Sequence, residues 1–138
     1  MQVANERITK GFLLAGLMNT SVLVFSRMFN NPTIAEFDPN VMSNFGLLMI
    51  LIWGFAYISV AKNYYLVKWL VGVFAIEKFI YGCVWIDWMM NNDIYQVYEK
   101  DFMAGVFYSI YGINDWIFFA FFAFVFYRLS RTPAAHER

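Results

Sequence analysis

Apolar residues fall into four long blocks separated by short polar links. The first block is "GFLLAGLMNTSVLVFSRMF", residues 11–29, and the second is "VMSNFGLLMILIWGFAYISVA", residues 41–61. The third covers 66–90, and the fourth is "MAGVFYSIYGINDWIFFAFFAFVFY", residues 103–127. Each approaches or exceeds the roughly 20 residues that a helix needs to cross a hydrocarbon core about 30 Å thick. The pattern predicts an all-α fold, a four-transmembrane-helix bundle with short loops, as a single membrane domain over residues 1–138.

The links support these breaks. "NNPTIAEFDPN" combines two prolines with Asn and Asp, all turn formers, and Asp38 or Asn40 is placed to cap the second helix. "KNYY" is short enough to make the second and third helices antiparallel neighbours. "NNDIYQVYEKD" reads as an interfacial segment, with Tyr95 and Tyr98 suited to the headgroup zone. A basic start leads into the first block as in a signal peptide, but no small-x-small cleavage pattern follows, so an uncleaved helix is expected.

Composition agrees with a membrane setting. Of 138 residues, 61% are hydrophobic, 22% aromatic and only 14% charged, against about 25% charged in an ordinary soluble domain. The net charge is zero and no dense basic block exists, which argues against a nucleic-acid partner. Cys83 is a lone thiol inside an apolar block, and the single histidine, His136, sits in the polar tail. Bis-histidine haem ligation within one chain and His-rich zinc sites are excluded, and no metal site is expected.

Basic residues set an orientation. Arg7, Lys10, Lys62, Lys68, Arg128, Arg131 and Arg138 fall on one side of the four-span topology. Lys100 and Arg27 lie on the other, together with Glu36, Asp38, Asp93, Glu99 and Asp101. The positive-inside rule then puts both termini in the cytoplasm, and a bacterial inner membrane is the expected location.

Within the blocks, Glu77 and Lys78 on the third helix and Asp115 on the fourth all come close to the bilayer midplane. A charge there costs roughly 2.5–3.5 kcal/mol on insertion scales, so these residues should face the bundle interior and find partners. Lys78 is expected to pair with Asp115. Glu77 points about 100° away around its helix and needs another partner, drawn from Asn19, Thr20 and Asn114. Nearer the outer surface, Arg27 and Asp87 make a second candidate ion pair with a structural role. Tyr81, one turn beyond Glu77, and Tyr108 and Tyr111, on the face of Asp115, would complete a buried polar network. Gly72, Gly82, Gly105 and Gly112 would let helices approach. Trp53 and Trp116 read as core, the Met residues as gap fillers, and "FFAFFAFVF" as lipid-facing.

"YGINDWIFFAFFAFVFYRLSR" resembles the closing helix of small bacterial four-helix membrane proteins of the DoxX-like kind, with Gly112 and Asp115 as the matching positions. The resemblance implies size and topology, and some such proteins resemble subunits of quinone-linked membrane oxidoreductases. It implies no motif for that activity here.

The function these features point to is a midplane site that binds or transports a small molecule or ion, with coupling to protons through Glu77. The candidate ligand-binding residues are Glu77, Lys78, Asp115, Asn114, Tyr81, Tyr111 and Asn19. The alternatives are an accessory or assembly subunit of a larger membrane complex and a lipid- or quinone-linked enzyme. No nucleophile motif supports the last, although a bound lipid or quinone is compatible with the sequence. Membrane lipids and either a second copy or a partner membrane subunit are the expected partners.

Overall fold

The computed structural model describes residues 3–132 and is helical throughout its ordered elements. In chain order these are α1 (Glu6–Thr20), α2 (Val22–Phe25), α3 (Pro32–Phe37), α4 (Asn44–Val60), a 3-10 turn (Tyr64–Leu66), α5 (Lys68–Asn91), α6 (Ile94–Lys100) and α7 (Phe102–Arg131). His136 and Arg138 lie outside the described residues. Three helices are long and apolar enough to cross a membrane: Glu6–Phe25, Lys68–Asn91 and Phe102–Arg131. These fit an integral membrane protein. The second apolar block contributes a shorter helix, Asn44–Val60, of 17 residues.

Polar side chains set the helix ends. Asn5 starts α1 five residues before the apolar block does, its Oδ1 accepting from Arg7 N at 3.0 Å and Ile8 N at 3.3 Å. Ser43, rather than Asp38 or Asn40, caps α4, accepting from Gly46 N at 3.2 Å. Asp38 instead closes the turn before it, accepting from Val41 N at 3.0 Å, so Val41 and Met42 belong to the turn although they read as helix. Asp93 caps α6 and Asp101 caps α7, each through a backbone N–H of the first turn. The first helix breaks at Ser21. There Thr20 and Ser21 hydroxyls bond back to Leu17 and Met18 carbonyls, a pattern that bends helices.

The helices associate as two tight pairs, α1 with α4 and α5 with α7, while α6 folds back onto α7. The sequence-adjacent α4 and α5 are therefore not the closest neighbours that the short "KNYY" link suggests. Close approach within α1–α4 depends on glycine: a Cβ on Gly54 would sit 2.8 Å from Asn19 Cβ and 3.1 Å from the Gly16 carbonyl oxygen. In lipid, where apolar surface supplies no net drive to associate, such backbone contact is a main source of helix affinity. Gly82 and Gly112 instead seat rings, those of Trp116 and Trp85.

Two apolar clusters divide the interior. One gathers Phe12, Tyr57, Phe74 and Phe122 with Tyr64 of the 3-10 turn. The other gathers Val22, Met42, Leu47, Trp88 and Tyr108 with Ile34 and Val97 of the short helices. Phe118, Phe122 and Val125 of the "FFAFFAFVF" run point into the first cluster, so one face of that run is core and only the rest, such as Phe124, looks outward. Along each long helix the buried polar residues fall between the two clusters: Asn19 on α1, Glu77 and Lys78 on α5, Asp115 on α7.

Candidate functional site

The buried charges meet on the sides of α5 and α7 that face α1 and α4. Lys78 is almost fully enclosed, and its Nζ donates to Asp115 Oδ1 across α5–α7 at 2.7 Å. The same ammonium donates to Asn19 Oδ1 on α1 at 2.9 Å. Asn19 completes its own bonding by donating from Nδ2 to the Ile50 carbonyl of α4, at 2.9 Å. Two charge-assisted bonds from Lys78 and one neutral bond from Asn19 thus tie α5, α7, α1 and α4 together.

Glu77 turns the other way, as the 100° step predicts, and meets the Tyr57 hydroxyl of α4, which donates to its Oε2. Tyr57 is a partner that reading the sequence for amides and charges at equal depth misses. Its signal was a tyrosine inside an apolar helix, whose hydroxyl needs a partner once buried. The Tyr57 ring also lies 5.4 Å from Lys78 Nζ, a cation–π distance that adds to the enclosure of the ammonium. Asn114 Nδ2 is 3.5 Å from Asp115 Oδ1, at the outer limit for a bond.

Glu77, Lys78, Asp115, Asn114, Tyr81, Tyr111 and Asn19 all line one cavity of about 40 Å³. Its wall continues with Val22 and Phe25 of α2 and Phe107 and Ile110 of α7, so it extends from the charges toward the α3 and α6 end. Among the described residues, Tyr111 carries the one buried side-chain polar atom without a hydrogen-bond partner, its hydroxyl. Tyr108, by contrast, is satisfied: its hydroxyl donates to the Ile34 carbonyl at 2.6 Å and its ring stacks on Trp88 at 4.2 Å, so it anchors α3 and stays out of the site. Thr20 bonds only its own helix.

The expected Arg27–Asp87 pair does not form. Helix α2 ends at Phe25, and Arg27, Met28 and Phe29 take left-handed backbone angles with φ of 49°, 57° and 67°. This reversal carries Arg27 to the α6–α7 junction, where Nη2 meets Asp101 Oδ2 at 2.6 Å. Asn31 donates to the other oxygen of Asp101 at 2.9 Å. Burial pushes the Asp101 carboxyl up, but the bonds from Ala104 N–H, Asn31 and Arg27 outweigh it and hold the group below its usual range. Asp87 stays exposed on α5, accepting from Asn91 at 3.3 Å.

No family model, curated protein or solved structure matches the chain.

Proposed function

We propose that the protein is a four-span membrane protein whose mid-bundle site binds or transports a small ion or small molecule. What supports this is the enclosure of Glu77, Lys78 and Asp115 around a cavity that still holds free space and an unpartnered hydroxyl. A purely structural ion pair needs neither. Two carboxyls accompany one ammonium, which of the two bonds only Asp115, so the site lacks one positive charge whenever both are ionised, and buried charge is retained at such depth mainly for function.

At about 1.5 Å per residue, the 17 residues of α4 reach roughly 26 Å, near the short end for a crossing. Paired along α1, it would make the fourth span and return both termini to one side. The basic residues Arg7, Lys10, Lys62, Lys68, Arg128 and Arg131 favour the cytoplasm for that side, and a bacterial inner membrane suits the arrangement.

The test is reconstitution into liposomes, with uptake of Na⁺, K⁺, protons and small polar solutes measured for wild type and Glu77→Gln. Wild type should move or bind one of them, and the variant, eluting and folding as wild type, should not. Equal behaviour of the two proteins for every ligand would refute the site.

A further inference from the structure

We infer that the ligand of this site is the proton, delivered through water held in the cavity, and that the Tyr111 hydroxyl positions that water against the Glu77 and Asp115 carboxyls. The inference rests on the site reading above and narrows it to one chemical species.

Size favours the proton. A buried water occupies on the order of 10–15 Å³ by the same measure. The cavity of about 40 Å³ therefore takes about three or four waters, whereas organic ligands fill pockets of roughly 300–1,000 Å³. The cation position, moreover, is already taken. Lys78 Nζ sits between Asn19 Oδ1 and Asp115 Oδ1, so a metal ion entering the cavity would face a like charge in a medium that screens it poorly. Among the described residues no group of three or more His, Cys, Asp or Glu could hold a metal ion. A proton needs no coordination shell: it forms an O–H bond on a carboxylate and makes the set of two carboxyls and one ammonium neutral.

Tyr111 points the same way. Its hydroxyl is unpartnered, the residue is only 7% exposed, and it lies on the cavity wall one helical turn before Asp115. A water in the cavity satisfies it, and a hydroxyl both accepts and donates, which is what a relay requires. In the transfer, a hydrated proton gives one hydrogen to the Tyr111 oxygen while Tyr111 gives its own to the next water. That water passes a hydrogen to the carboxylate, so one O–H forms at the carboxyl for each one broken at the entry. The titratable groups facing the two carboxyls are Tyr57 from α4, Lys78 and Tyr81 from α5 and Tyr111 from α7; α1 presents the neutral Asn19.

The experiment uses the full chain in liposomes loaded with a pH-sensitive dye, in choline medium with a permeant anion, after an external pH step. Wild type should collapse the step without any metal cation, and Glu77→Gln should fall to the rate of empty liposomes. Tyr111→Phe should be slowed about tenfold, the equivalent of one hydrogen bond lost to a site water. Tyr108→Phe, a matched loss of a hydroxyl outside the cavity, should keep the wild-type rate. Flux that appears only when Na⁺ or K⁺ is added overturns the proton and leaves the site reading standing. Absence of transport and binding for every ion overturns both. A wild-type rate in Tyr111→Phe removes Tyr111 from the path. Infrared difference spectra across a pH jump provide a second readout independent of crossing: the protonated-carboxyl band should vanish in Glu77→Gln and shift in Tyr111→Phe. Its absence from wild type overturns the inference.

Discussion

Replacing Lys78 with methionine leaves Asp115 in the middle of the bundle without its counter-charge. The two side chains are 2% and 8% exposed and 2.7 Å apart. At an effective dielectric constant of about 20, their attraction at that distance is about 6 kcal/mol. Withdrawing each ion from water costs several kcal/mol, so the pair as a whole comes out near break-even. Removing one member is a different matter, because the remaining charge stays buried and Asn19 also loses its donor. Lys78→Met should therefore destabilise by about 3–5 kcal/mol, as should Asp115→Leu. The double variant, which removes both members of the pair and leaves Glu77 on its Tyr57 donor, should return to within about 1 kcal/mol of wild type while losing activity. The assay is a double-mutant cycle by detergent-induced unfolding in mixed micelles, followed by circular dichroism. Single variants as stable as wild type, or a double variant as unstable as the sum of the singles, would refute the reasoning.

Tyr57→Phe strips the buried Glu77 of its donor and should cost about 1–3 kcal/mol in the same unfolding assay, whereas Tyr65→Phe on the partly buried 3-10 turn should be nearly neutral. Gly54→Val pushes a side chain into Asn19 and the Gly16 backbone, so it should separate α1 from α4, destabilise by about 1–3 kcal/mol and disrupt the Lys78 network, read as lost ligand response. For Asp101 the folded carboxyl titrates below its usual range, so its stabilisation is fully present above the unfolded value of about 4 and is lost as pH falls through the folded value. The stability gap between wild type and Asp101→Asn should therefore be constant near neutrality and close on acidification; a gap that widens in acid contradicts the Arg27–Asp101–Asn31 clamp.

Depth along a helix was the part of the site that the sequence made legible. Lys78 and Asp115 meet because residues at equal depth on antiparallel helices face one another, and burial forces them to pair. The angular step between Glu77 and Lys78 was legible for the same geometric reason. Arg27 was misplaced because the helix that was to carry it ends at Phe25, and the chain reverses before Arg27 can face Asp87. Three consecutive non-glycine residues in the left-handed region cost about 1–2 kcal/mol each, and no local preference announces them. They are held by the Arg27–Asp101 ion pair, by Asn44 Nδ2, which donates to the Phe29 carbonyl at 3.1 Å, and by Ser26 Oγ, which accepts from Phe29 N at 3.0 Å. The second block overstated its helix because hydrophobicity alone does not distinguish Val41 and Met42 in a buried turn from the same residues in a span. Tyr57 went unread because a tyrosine in an apolar run is ordinarily core, and only its partner makes it part of a site.

Native mass spectrometry of the gently solubilised protein separates a ligand site from an assembly device most directly, comparing wild type with Glu77→Gln and Asp115→Asn. The account predicts that wild type and Glu77→Gln keep the same oligomeric state and the same protein composition, and that any small ligand retained by wild type is lost from both variants. A Glu77→Gln protein that falls apart, or that sheds a protein partner which wild type holds, would mean that the buried charges serve assembly and would contradict it.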